Sequence, residues 1–177
     1  GCIPSFAGLP GVYPEDLGLS PMSDGAKGEV ITITGSIHDG TGWAMRDAMF
    51  ESWQADGAGR YPGQPGADPA VSGFCRFAAD KDSGAFTLRT IKPGAVRGHD
   101  GRMMAPHISI WIVARGINIG LHTRIYFADE DNSADPLLAR IEQRPRVETL
   151  MARPVGPGAY RFDIRLQGPG ETVFLDI

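Results

Sequence analysis

Cysteine, surplus positive charge and long apolar runs are all scarce in this chain, and each scarcity removes a class of protein. Only Cys2 and Cys75 are present among 177 residues. Two distant cysteines build neither a disulfide framework nor a thiolate metal cluster, so two free thiols in a reducing cytoplasm are expected. Lysine and arginine total 17 against 21 aspartates and glutamates, a formal net charge of −4 with no basic run. Nucleic acid is therefore not an expected partner. No apolar stretch approaches the ~18 residues that a membrane helix needs, and no signal peptide is visible. A cytoplasmic protein without a membrane partner is the expectation.

What the chain has in quantity is turn chemistry. Its 24 glycines and 14 prolines punctuate short apolar runs, which argues for an all-β fold. The length suits one domain with a substantial core. Residues 1–27 show no period, yet carry Ile3, Phe6, Leu9, Val12, Tyr13 and Leu17, which need cover. They read as an extended N-terminal arm packing on a partner chain, ahead of a β domain at 28–177.

Alternation marks the strands. In Glu29–His38, Ile31, Ile33 and Gly35 share one face and Thr32, Thr34 and Ser36 the other. Ala48–Ala55 is a second strand. Gly73–Ala78 and Ala85–Ile91 read as a pair joined across Asp80–Gly84. Residues 56–71 and 92–105 read as long loops. The strand His107–Ala114 is apolar on both faces, so either a second sheet or a partner must cover it. Leu121–Phe127, Tyr160–Gln167 and Thr172–Asp176 complete the set, and Asp135-Pro136 starts one short helix. Roughly eight strands and one helix make a two-sheet β-sandwich the expected architecture.

One spacing bears on metal chemistry. His107 and Ser109 lie two apart on a strand and point to the same face. A His-x-His pair there would aim two imidazoles at one ion, whereas a serine hydroxyl is a poor substitute.

Several blocks in fixed order resemble one family. They include Glu51-Ser52-Trp53-Gln54-Ala55-Asp56, Gly59-Arg60-Tyr61, Thr90-Ile91-Lys92-Pro93-Gly94, Ala105-Pro106-His107-Ile108, Ala114-Arg115-Gly116-Ile117-Asn118-Ile119 and His122-Thr123-Arg124-Ile125-Tyr126-Phe127. These resemble the intradiol ring-cleaving dioxygenases, a family of β-sandwich enzymes that use non-haem Fe(III) held by two tyrosines and two histidines. Carried over position by position, the resemblance puts the four ligands at Tyr61, Val96, His107 and Ser109. Val96 and Ser109 lack the required donors. The resemblance therefore implies a chain that binds no metal and has no catalytic residue of its own. It would work beside an iron-bearing beta chain in a higher-order alpha–beta assembly, on a dihydroxybenzoate and O2. It further implies that Arg115, Gly11, Val12 and Tyr13 contribute to a shared substrate cleft, Arg115 as a fork for a carboxylate.

Plainer roles stand beside these. Tyr61 closes a loop with its hydroxyl hydrogen-bonded, His107 is a satisfied core histidine, and Arg115 sits in a surface salt bridge. Met103-Met104 is a packing patch. Two other functional readings remain open: a homomeric intradiol enzyme that recruits Tyr126 or His122 as a replacement ligand, and a non-enzymatic sandwich that binds an aromatic.

Overall fold

Ile31, Ile33, Gly35 and Ile37 are buried while Thr32, Thr34 and Ser36 between them are only partly so, and this alternation fixes the first strand against the core. The computed structural model describes residues 18–176. Its strands are, in chain order, β1 (Val30–His38), β2 (Met49–Gln54), β3 (Phe74–Ala78), β4 (Ala85–Ile91), β5 (Val96–Arg97), β6 (Met103–Met104), β7 (His107–Val113), β8 (Leu121–Phe127), β9 (Met151–Gly156), β10 (Ala159–Arg161) and β11 (Ile164–Arg165). One sheet runs β3-β2-β7-β8. The other places β4 antiparallel on one edge of β1, with β10 and β11 parallel to β1 on the other edge. β9 joins the two, pairing first with β8 and then with β10.

The core lies between the sheets. Ile31, Ile33 and Leu88 meet Phe50, Ile108, Ile110, Ile112 and Ile125 there. Each such side chain contributes roughly 1.5–3 kcal/mol on burial. Gln54 ties the sheets together by hydrogen bonds. Its Nε2 donates to the Ile91 carbonyl at 2.8 Å, and its Oε1 accepts from the Thr90 hydroxyl at 2.7 Å.

The β-sandwich is as expected, but several elements differ. β3 and β4 do not pair. They sit in opposite sheets, and Phe77 and Phe86 approach across the core with ring centroids 5.9 Å apart. Alternation tells a strand which face to bury and does not say whether its neighbour lies beside or across. The run 160–167 breaks into β10 and β11 because the Phe162 carbonyl turns onto Gly35, where a Cβ would lie 1.8 Å away. Thr172–Asp176 contributes a single bridge, Leu175 to His122. The region 92–105 contains the β5–β6 hairpin. Asp135 does cap a helical turn: its Oδ1 accepts from the Leu137 and Leu138 amides. The turn is 3-10, at Leu138–Arg140, and a second 3-10 segment spans Arg144–Leu150.

Of the arm, residues 18–27 are described, and they run along this chain's own β3 and the loop before it. The Arg76 amide donates to the Gly18 carbonyl and the Gly73 amide to the Pro21 carbonyl. Gly11, Val12, Tyr13 and Cys2 lie outside the described residues. Cys75 is a free, buried cysteine whose thiol pKa is pushed up by burial. No helix among the described residues is long and apolar enough to cross a membrane.

Candidate functional site

Two loops deliver the first two candidate positions, and a buried carboxylate locks them. Asp56 accepts from the amides of Ala58, Arg60 and Asp68, which pins the Gly/Pro loop carrying Tyr61. The Gly94 amide donates to the Asp56 carbonyl at 2.9 Å. Gly59 has φ +77°, and a Cβ there would lie 1.9 Å from the Ala95 carbonyl oxygen. Only glycine allows that approach. The loop bearing Tyr61 and the turn bearing Val96 are thus held together, and both residues line one cavity of about 520 Å³. Tyr61 lies flat on Trp53, with ring planes 4° apart. Its hydroxyl makes no hydrogen bond to a described residue, contrary to the plainer expectation, and its pKa is raised by burial and lowered in part by Arg124.

The other two positions lie on the outer face of β7. Ser109 stands between Trp53 on β2 and Arg124 on β8 in the strand register. His107 stands opposite Tyr126. His107 is 1% exposed, and its Nδ1 lies 2.8 Å from the Ala105 carbonyl. That geometry puts the proton on Nδ1 and leaves Nε2 as a bare acceptor, buried without a partner among the described residues. So His107 is a core histidine, but only half satisfied. Burial and the neighbouring Arg124 charge depress its pKa from 6.5 to about 4.

Arg124 is the residue that sequence reasoning passed over. Its Nη1 reaches Tyr126 Oη at 3.4 Å and Met104 Sδ at 3.6 Å, and it lines the same cavity as Tyr61 and Val96. A fixed guanidinium therefore stands among the four positions that the resemblance assigns to a cation. Tyr126 donates its hydroxyl to Asp135 at 3.2 Å, and burial raises the phenol's pKa further. It is a poor source of phenolate. His122 lies along the strand, near Trp111 at 6.4 Å between ring centroids. Neither stands in for a missing ligand. The residues present do not fit ferric iron: two donors of four are absent, one remaining phenol is held protonated, and a permanent positive charge adjoins the place. The signal for Arg124 was available in the alternation of β8, which puts residues 122, 124 and 126 on one face.

Arg115 does not join this cluster. It sits beyond the other end of β7, roughly 20 Å away at the rise of a strand. The turn Ala114–Ile117 closes with Gly116 at φ +85°. The Arg115 side chain is 89% exposed and its Nε lies 3.3 Å from Asp47 Oδ2. It borders a separate recess of about 550 Å³ with Ile117, Ile119 and Leu121.

A family model described as Dioxygenase matches residues 4–168. The alpha chain of protocatechuate 3,4-dioxygenase from Pseudomonas putida is 50% identical over 156 residues, 85% of this chain and 78% of that one. The beta chain of protocatechuate 3,4-dioxygenase from Burkholderia cepacia is 32% identical over 137 residues, 73% of this chain and 56% of that one. Among solved structures, an intradiol ring-cleavage dioxygenase from Tetranychus urticae superposes with a TM-score of 0.65 at 19% identity, covering 86% of this chain and 88% of that one. The chain belongs to the intradiol dioxygenase family, and its sequence is similar to the alpha chains of protocatechuate 3,4-dioxygenase.

Proposed function

We propose that this chain acts as the iron-free alpha subunit of a protocatechuate 3,4-dioxygenase in the cytoplasm, paired with an iron-bearing beta chain in a larger alpha–beta assembly. The pair would cleave 3,4-dihydroxybenzoate with O2 to 3-carboxy-cis,cis-muconate in the beta-ketoadipate route of aromatic degradation. Ferric iron in the partner supplies catecholate binding and activation of the ring toward O2. The present chain supplies walls and charge. Arg115 extends from a tight turn on a rigid strand, and its ion pair with Asp47 joins two exposed groups, so it costs little to break. Such an arginine suits an anionic substrate. Gly11, Val12 and Tyr13 line the same shared cleft, with the arm excluding water.

What supports this reading is that Val96 and Ser109, which carry no metal donor, stand at the positions the resemblance assigns to ligands, with Arg124 opposite Ser109 in the ladder. A homomeric enzyme would need a replacement ligand, and the buried, Asp135-bound Tyr126 does not provide one. The test is iron content and visible absorption of this chain expressed alone and with its beta chain. One iron per pair, none in the lone chain, and turnover only by the pair are expected. Iron and turnover in the lone chain overturn the proposal.

A further inference from the structure

Strand register gives Arg115 a carboxylate of its own. The β2–β7 ladder pairs Trp53 with Ser109, Glu51 with Trp111 and Met49 with Val113. Carried two residues further along both chains, the same register sets Asp47 opposite Arg115, and there the side chains meet, Nε 3.3 Å from Oδ2. Charge-assisted hydrogen bonds run at about 2.7–2.9 Å, so this contact is one of charge and leaves the donors of the fork unspent. Among the described residues Asp47 is the only carboxylate in ion-pair contact with Arg115. Arg115 lines the recess that Ile117, Ile119 and Leu121 form, and Asp47 stands outside it. The one acid that does line this recess, Asp39, is occupied by the amides of Thr41 and Trp43. The guanidinium thus has an acid on one side and an open recess without a free carboxylate on the other.

We propose that Asp47 is a specificity-determining residue: an internal carboxylate that holds Arg115 until a substrate carboxylate displaces it. The inference rests on the proposed role of Arg115 in the shared cleft. The exchange is between unequal partners. Asp47 offers one long contact in water, whereas a substrate carboxylate can take two parallel N–H bonds from the planar fork. A ring without a carboxylate has nothing to exchange and leaves the pair intact. Asp47 therefore raises KM for carboxylated rings alone, and by a small factor, because an exposed pair holds its partner by roughly two- to fivefold. An ordinary surface pair predicts no change on removal of Asp47, and a supporting contact predicts a loss. A competing carboxylate predicts a gain.

The test is steady-state kinetics of the complex assembled with the beta chain, on 3,4-dihydroxybenzoate, with catechol as the uncarboxylated substrate or competitive inhibitor. Asp47→Asn should lower KM for dihydroxybenzoate roughly two- to fivefold, with kcat moving less than KM. Asp47→Glu restores a competing charge and should lose most of that gain. Catechol should show no such gain. In an Arg115→Ala background Asp47→Asn should have no further effect, because no guanidinium is left to compete for. If Arg115→Ala impairs turnover of dihydroxybenzoate while Asp47→Asn leaves KM unchanged or raises it, the role of Asp47 is overturned and that of Arg115 stands. A gain that extends to catechol, or that persists without Arg115, also overturns it, since either marks a general effect of charge. An Arg115→Ala complex with unaltered kinetics removes both roles.

Discussion

Arg124 and Ser109 face each other directly across the β7–β8 ladder, so the serine at the position the resemblance gives to a ligand and a fixed cation are one local arrangement. Directly opposed residues on a sheet face approach within about 5.5 Å at Cβ. An imidazole at 109 would share its space with the guanidinium, and a ferric ion would share its field.

Restoring the missing donors alone should therefore fail. The double variant Val96→Tyr with Ser109→His is expected to hold little iron when expressed with ferrous salt in air. Adding Arg124→Gln should raise iron content severalfold and bring in a visible phenolate-to-iron band. Metal analysis and absorption of the two variants decide this. Equal iron in both would mean that Arg124 does not oppose the metal.

His107 should make the fold acid-sensitive. Its folded pKa is depressed to about 4 from 6.5, so between these values the unfolded chain binds more protons than the folded one. Stability should fall as pH drops from 6.5 toward 4, by roughly 3 kcal/mol from this residue at full extent. His107→Gln removes that dependence. Urea midpoints at pH 7 and pH 4.5 should converge in the variant by an amount worth roughly 2–3 kcal/mol. An unchanged pH dependence would mean that His107 is already protonated in the folded chain or lies more open to water.

The strands were legible in the sequence because period-two alternation survives wherever one face is buried, as in β1 and β8. Sheet membership was not. Asp80–Gly84 reads as a hairpin turn, but Asp80 accepts from the Asp82 and Ser83 amides in a loop that passes between sheets. The candidate positions Tyr61, Val96, His107 and Ser109 were found by resemblance, and the fold brings them to one end of the sandwich. Arg124 was missed because a charged residue on a strand reads as solvated, and only the register reveals its neighbour Ser109. Arg115 was recognisable in its motif, and the expected strand His107–Ala114 already set it at the opposite end from His107.

Gln54 should be worth more than its size suggests, because from β2 it satisfies two buried groups of β4 in the opposite sheet. Gln54→Leu keeps the volume and abandons the Thr90 hydroxyl and the Ile91 carbonyl. A loss of about 3 kcal/mol is expected, read as a fall of roughly 10 °C in the thermal midpoint. Adding Thr90→Val removes one of the stranded groups and should recover part of the loss. If the single variant is neutral, water reaches the site and the link between sheets is not structural.

Arg115 separates a role in chemistry from one in stability. Its side chain is 89% exposed and its contact with Asp47 is a surface ion pair, so Arg115→Ala should change the thermal midpoint by little. If the guanidinium reaches the substrate in the assembled enzyme, turnover should fall while assembly with the beta chain does not. A loss on the order of tenfold in kcat/KM matches one charge-assisted contact of about 1.4 kcal/mol. Arg115→Lys should recover only part of this, because an ammonium keeps the charge and loses the planar fork. Steady-state kinetics of the mixed complex with sizing chromatography resolve the question. Unchanged kinetics would leave Arg115 as a surface residue, and impaired assembly with normal turnover per assembled pair would assign it to the interface.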